Sequence, residues 1–393
     1  MLVQVNTVSN VNQEGETLKR KITAGIDMGG TSWVVSLLFH GTEKRRTMTF
    51  KSKDKELNCL NELKRWHNTG YKVHVIYEAG RYGFTPARIF EHFDMDCTVI
   101  PINKIEIVRS GKRVKTDRFD AAVLTQINPQ APDLPRVYVP SIEEEADRGM
   151  ISEEKRLQKD NQRKNNAILA ILERWWIGTR LENKHHRDSG SWRRCINENR
   201  YRQDGEALLP ETEFWRVENI IEELELVEKQ QDQWNQRIGE RNRQKRAAAC
   251  EKGQLYLVDR LQQFKGIGER GARLLSWKLG SFHRFKNGKC ISSYFGLTSV
   301  PWISGTMQRD QGISKTGDRL LRSTLIELAW LWRRWQPTSK LTKKWNEKLK
   351  KKGRMRRVAI VAMARQLIVA LYRYVVKGEM IEGAIINRAI PSV

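Results

Sequence analysis

Four acids in the first third of the chain, Asp27, Glu78, Asp117 and Asp120, have the types and spacing for metal-assisted chemistry. Asp27 follows the apolar run KITAGI and precedes two glycines and a second apolar run, the pattern of a strand, a tight turn and an antiparallel partner. Glu78 ends a later strand, YKVHVIYE. Sites in open α/β sheets gather beyond the carboxyl ends of strands, where both acids fall. Asp117 and Asp120 lie in the helical segment TDRFDAAVLTQ, where a spacing of three puts them on one face. Like charges there repel, and a divalent cation held between carboxylates turns that cost into a binding site. Oxygen ligands in this number suit Mg²⁺ or Mn²⁺, and paired ions can activate a nucleophile and stabilise a leaving oxygen in phosphodiester chemistry. The plainer account makes Asp117 a helix cap and Asp120 a solvated acid of the first turn. The order of the acids, one on the first strand, one on a later strand and two on a helix behind, favours the shared site.

A second constellation lies in the last third. KGIGERGA places Lys265, Gly266 and Gly268 in a tight turn between helices, whose backbone N–H groups could face a phosphate, as in helix-hairpin-helix DNA-binding units. Downstream, Ser304 precedes Gly305 among Pro301, Trp302, Arg309, Lys315, Arg319 and Arg322, a hydroxyl surrounded by cations suited to phosphate. A serine attacking a phosphodiester must lose its proton while the developing charge is balanced. Ser304 read without that context is a turn residue.

The elements that must position these groups divide the chain into three predicted regions. Residues 1–140 form a small α/β domain: strands around Asp27, Thr47 to Phe50, Glu78 and DCTVIPIN, a helix from Lys53 to Asn68, and the helix carrying Asp117 and Asp120. Residues 141–255 are helical, with a first helix from Ser141 to Arg180 and a second beyond Pro210. On the second, Val217, Ile220, Leu224, Val227, Gln231, Trp234 and Ile238 recur at steps of three and four, a heptad seam for self-association or for packing against the first helix. Its basic end, Arg237 to Arg246, suits nucleic acid. Residues 256–393 are mostly helical, with a helix beginning at Arg319 and an apolar helix from Val358 to Val376. That last helix is interrupted by Arg365, Gln366 and Arg373 and is expected in a core, not a membrane.

With 71 Lys and Arg against 46 Asp and Glu, the net charge of +25 calls for a polyanionic partner, with nucleic acid first. The N-terminus lacks an apolar signal core, so a cytoplasmic protein without membrane segments is expected. The five cysteines stand tens of residues apart, which excludes a zinc-ligand spacing or disulfide framework and leaves structural thiols. His185 and His186, adjacent in a polar stretch, read as a solvated loop.

GIDMGG, YEAG and KTDRFDA, followed by FKGIGERGA, SYFGLTSVPWISG and GISKTGDRLLR, resemble the DEDD transposases of bacterial insertion sequences, the bridge-RNA-guided recombinases, over nearly the whole chain. The resemblance implies an RNase H-like (RuvC-like) N-terminal domain, a coiled-coil arm and a C-terminal transposase domain. It implies that Asp27, Glu78, Asp117 and Asp120 bind the metal and that Ser304 forms a covalent phosphoserine link with DNA. Ser299 is the fallback nucleophile. The implied partners are donor and target DNA, a noncoding bridge RNA and further copies of the chain, as a dimer or tetramer, acting at the bacterial nucleoid. The stretch RWWIGTRLENKHHRDSGSWRRC is longer and richer in Trp than the family pattern, and its Trp residues could stack on bases or pack. Two other functions use parts of the same features: a metal-dependent junction nuclease in which water attacks, and a nucleic-acid-binding protein without catalysis.

Overall fold

Continuous apolar runs along the first two strands bury both faces of a sheet, and helices then cover each face. The computed structural model describes residues 20–101, 116–132, 134–177, 188–198, 208–304 and 307–387, with the backbone alone at 302–304 and 307–310. The chain separates into two compact units, Met1–Ser141 and Ile142–Val393.

In the first unit, β1 (Lys21–Met28), β2 (Trp33–Phe39) and β3 (Lys44–Phe50) form an antiparallel meander. Helix α1 (Lys55–Asn68) leads to β4 (Lys72–Glu78), parallel to β1, and α2 (Thr85–His92) leads to β5 (Asp96–Ile100), parallel to β4. The strand order is β3-β2-β1-β4-β5. Lys44, Arg45 and Arg46 on the edge strand β3 are exposed, a charged edge that discourages pairing with another chain. On one face, Ala24, Ile26, Val75 and Tyr77 pack with Cys59 and Leu63 of α1 and Phe90 of α2. On the other, Ile76 and Ile100 pack with Val123 and Leu124 of α3 (Asp117–Leu124). Burial pushes the Cys59 thiol up to about 12 and raises that of Cys97 further, so neither is a nucleophile at neutral pH.

Gly25 sets how closely α3 approaches the sheet. A Cβ there would overlap the Ala121 carbonyl oxygen and lie 2.7 Å from Leu124 Cβ and 3.1 Å from Thr125 N. Two of those obstacles are backbone atoms, so side-chain rotation cannot relieve them. Gly25→Ala is expected to destabilise the first unit by about 1–3 kcal/mol through overpacking. Urea denaturation measures the loss, and an unchanged midpoint would show that α3 is free to shift.

Among its described residues, the second unit is helical apart from one hairpin. Helices α4 (Ile142–Arg174) and α6 (Glu211–Glu251) run antiparallel, tied by Arg241 Nε to Asp147 at 3.0 Å, Trp234 Nε1 to the Met150 carbonyl at 3.1 Å, Asn161 to Gln231 at 3.2 Å, and a Lys164–Glu223 ion pair. The heptad seam of α6 therefore packs within the chain: Val217, Ile221, Leu224 and Ile238 are buried, with Ile221 facing inward more fully than Ile220. The first helix ends at Arg174, short of the expected Arg180. Helix α5 (Ser189–Glu198) closes the far end, where the buried Trp192 Nε1 donates to Asn165 at 2.8 Å. His185 and His186 lie outside the described residues.

At the other end, α7 (Leu257–Gln262), α8 (Glu269–Leu279), a 3-10 turn (Phe282–Arg284), α9 (Gly288–Tyr294), α10 (Arg319–Trp335), α11 (Lys340–Lys350) and α12 (Arg354–Lys377) enclose one core. Helix α4 is fastened to it by the Glu154–Arg273 pair at 3.1 Å, both side chains nearly fully buried. Trp277 Nε1 donates to Tyr256 Oη at 2.7 Å, and Tyr256 donates on to Asn242 at 3.2 Å, so these three side chains are satisfied in series. Helix α12 is long and apolar enough by composition to cross a membrane, yet Ala364, Leu367, Ile368 and Leu371 are buried in this core, as expected from its interrupting Arg and Gln residues.

Candidate active site

The β1–β4 register ends with Ile26 opposite Tyr77, so Asp27 and Glu78 are the next residues along two neighbouring parallel strands. Side chains alternate along a strand. Asp27 therefore shares the face of Gly25, and Glu78 that of Ile76, which is the face covered by α3. The direction of α3 follows from its neighbours. The residues that follow its C-terminal end, Thr125 to Asn128, line a cleft of about 350 Å³ together with Lys21, Ile22 and Thr23 at the start of β1. Its middle lies on Gly25. Its first turn, bearing Asp117 and Asp120, thus points toward the end of β1 that carries Asp27. All four acids belong to one face and one end of the sheet.

Asp120 is buried, Asp27 and Glu78 are half-buried, and Asp117 is exposed. The cap of α3 is Thr116, whose Oγ1 accepts from Phe119 N at 3.3 Å; Asp117 follows it and is not the cap that the plainer sequence account made it. Among the described residues, no three His, Cys, Asp or Glu side chains are gathered closely enough to hold a metal ion. The structure thus brings the acids to one end of the sheet without joining them in one coordination sphere. As a donor set, four carboxylates match a hard divalent cation.

The loop after β4 adds residues that sequence reasoning missed. Tyr82 Oη donates to the Gly29 carbonyl at 3.0 Å and packs edge-on against Trp33, which ties this loop to the turn following Asp27. Arg81 folds over the same turn: a Cβ on Gly30 would lie 2.5 Å from its Nη1. A cation thereby lies at the turn that follows the strand carrying Asp27. The signal was present as RYG directly after YEAG, but a lone Arg in a loop does not announce its direction.

Ser304 is the last residue of β6 (Ser299–Ser304), which pairs antiparallel with β7 (Met307–Ile313). Ser304 lies opposite Met307, at the end of the hairpin next to its turn, and Ser299 lies opposite Ile313 at the other end. The pairing slips between Ser299 and Pro301, an irregularity that suits a proline in a strand.

The family described as Transposase IS116/IS110/IS902 matches residues 258–344, from α7 through the hairpin and into α11. Over 93% of this chain and 94% of the other, the sequence is 31% identical to "Putative transposase y4rJ" of Sinorhizobium fredii. The chain belongs to the IS116/IS110/IS902 transposase family. It is also 24% identical to "Putative transposase y4qE" of the same organism, over 66% of this chain and 59% of that one. A transposase acts on DNA, so the polyanion that the net charge of +25 called for is in the first place DNA.

Within the matched segment, the cations of this transposase differ in what they are free to do. Lys265, Lys315 and Arg319 are exposed. Arg322 instead directs Nη1 to the carbonyls of Thr316 at 3.1 Å and Phe295 at 3.4 Å, securing the loop that follows the hairpin. The backbone of Arg309 pairs with Trp302 in the hairpin. Gly266, at φ +96°, makes the turn between α7 and α8, and Gly268 precedes the first turn of α8, which has no side-chain cap. The N–H groups of such a first turn lack partners within their own helix.

Proposed function

We propose that this transposase cuts and rejoins DNA through a phosphoserine link formed by Ser304, assisted by a Mg²⁺ or Mn²⁺ site made of Asp27, Glu78, Asp117 and Asp120. A noncoding bridge RNA pairs with donor and target DNA, and the chain acts as a homo-oligomer, a dimer or tetramer. The observation that carries this reading is the convergence of the four acids on one face and one end of the first unit's sheet. The strand order β3-β2-β1-β4-β5, antiparallel in its first three strands and parallel afterwards, supports an RNase H-like first unit.

In this mechanism Ser304 Oγ bonds to phosphorus as the bond from phosphorus to one deoxyribose oxygen breaks, and the serine proton ends on that oxygen. A hydroxyl of the partner strand later reverses the exchange, so the phosphodiester is restored without ATP. Bound at the acids, the cation supplies charge withdrawal from phosphate and stabilisation of the departing oxygen. The carboxylates must be drawn together to hold it, and the cation itself offsets their repulsion.

The test is a denaturing gel of purified protein, its co-purified RNA and end-labelled DNA. A protein–DNA band that survives detergent, disappears with protease, and requires both RNA and a divalent cation is the expected result. Cut DNA with free ends and no such band would replace this reading with the water-using nuclease. Salt-sensitive binding without cleavage would reduce the chain to a nucleic-acid-binding protein.

A further inference from the structure

A tryptophan on the surface of the second unit stands close to two cations. Trp335 is the last residue of α10 and is 41% exposed, beside Leu331 at 40%. Lys265 Nζ and Arg334 Cζ stand 5.2 and 5.3 Å from its ring centroid. Both cations are exposed, and neither has a carboxylate partner among the described residues.

The ring has a rigid seat. The next residue, Gln336, is fully buried: its Nε2 donates to the carbonyls of Lys265 and Ile385, each at 2.8 Å, and its Oε1 accepts from Ile385 N at 2.5 Å. Those bonds lock the Lys265 turn to the end of α10. Gly266 lies against the ring, where an added Cβ would be 3.1 Å from Trp335 Cβ and 3.4 Å from Cδ1. The backbone carrying Trp335 is therefore ordered before any ligand arrives, which lowers the entropy cost of presenting an aromatic platform.

We propose that Trp335 is a stacking platform for an unpaired nucleotide, with Lys265 and Arg334 taking the flanking phosphates. A base presents its π-face to a side chain only when it is out of a duplex stack, so the ligand is a single-stranded segment of DNA or RNA and not a continuous duplex. The chemistry also explains the two cations. Over the ring they gain a cation–π attraction, and when a base takes that place their long side chains can swing to its phosphates. This assignment depends on the second unit meeting nucleic acid and not on the acids or Ser304.

Fluorescence anisotropy of the full-length protein tests it, with labelled unpaired 20-mers of deoxythymidine and of uridine and a mixed-sequence duplex at one salt concentration. Trp335→Ala is expected to weaken binding of at least one unpaired strand by roughly tenfold, the scale of one stacked base. Trp335→Phe should restore most of that loss, and the duplex should change by less than twofold. Which 20-mer responds more strongly identifies DNA or RNA as the source. Equal affinity of Trp335→Ala and wild type for both unpaired strands overturns the proposal, as does an equal loss on strand and duplex. In the first of these cases, retained duplex binding leaves DNA contact by the protein standing. Should the alanine variant unfold, photocrosslinking of wild type to 5-iododeoxyuridine and 5-iodouridine strands decides. A crosslink at Trp335 supports the platform, and crosslinks only elsewhere sink it.

Discussion

Ser304→Ala is expected to eliminate the detergent-resistant protein–DNA complex and to slow strand exchange by about four powers of ten or more, while DNA binding stays within twofold. Removing a covalent nucleophile takes away the intermediate itself, so the loss approaches that of the whole catalytic assembly. The hairpin offers no easy substitute. Ser299 pairs with Ile313 and Ser304 with Met307, so five residues of strand, roughly 16 Å, separate the two hydroxyl-bearing positions. Ser299→Ala should consequently behave as wild type. The measurement is the denaturing gel together with quantification of rejoined product. A Ser304→Ala protein that still rejoins DNA assigns the chemistry elsewhere, and a Ser299→Ala protein that alone loses the complex moves the nucleophile along the strand. Loss of duplex affinity in Ser304→Ala would instead mark a binding role for this end of the hairpin.

The parts of this arrangement that were legible in the sequence are those with a short-range signal. Strand ends at Asp27 and Glu78 followed from apolar runs broken by glycine, and the helix carrying Asp117 and Asp120 from its polar start and apolar continuation. The face on which the acids meet was not legible, because it depends on Gly25 admitting the Ala121 backbone, a contact between residues nearly a hundred positions apart. The heptad seam of α6 could be read as a seam, but a stripe of Val217, Leu224 and Ile238 does not name its partner. The structure supplies α4 of the same chain, through long-range pairs such as Arg241 with Asp147. Short elements escaped for a related reason. Helix α2 begins with Thr85 and Pro86, a fair start signal, yet runs only eight residues. Around Ser304, Pro301 and the scattered polar residues hid a two-stranded hairpin, and the sequence showed Ser304 only as a turn residue. Trp335 was passed over because its special seat is made by Gln336 reaching Lys265 and Ile385, far away in sequence.

Asp27→Asn separates the chemistry of the acidic end from its fold. Asparagine keeps the shape and one acceptor oxygen, and Asp27 stays within strand pairing opposite Val34, so the sheet should survive intact. Removing one of four like charges relieves repulsion, so stability to urea should be unchanged or slightly higher. Activity should move the opposite way. A divalent ion at such a site is worth several kcal/mol to a transition state, and each 1.36 kcal/mol is tenfold in rate, so strand exchange in Mg²⁺ should fall by about a thousandfold. Calorimetric titration of the DNA-free protein with Mn²⁺ gives a readout apart from activity, and Asp27→Asn should weaken the binding seen in wild type. Glu78, the neighbouring residue one strand over, should follow the same pattern as Glu78→Gln, because the β1–β4 register places the two side by side. A wild type that binds no Mn²⁺, joined to an Asp27→Asn protein of full activity, would return the acids to the role of an ordinary solvated sheet end. Lost stability in both variants would make them structural groups, held by the interactions that these residues make in the fold. Stable proteins that bind DNA but have lost both Mn²⁺ and turnover would mark this end of the sheet as the place where the phosphodiester is handled.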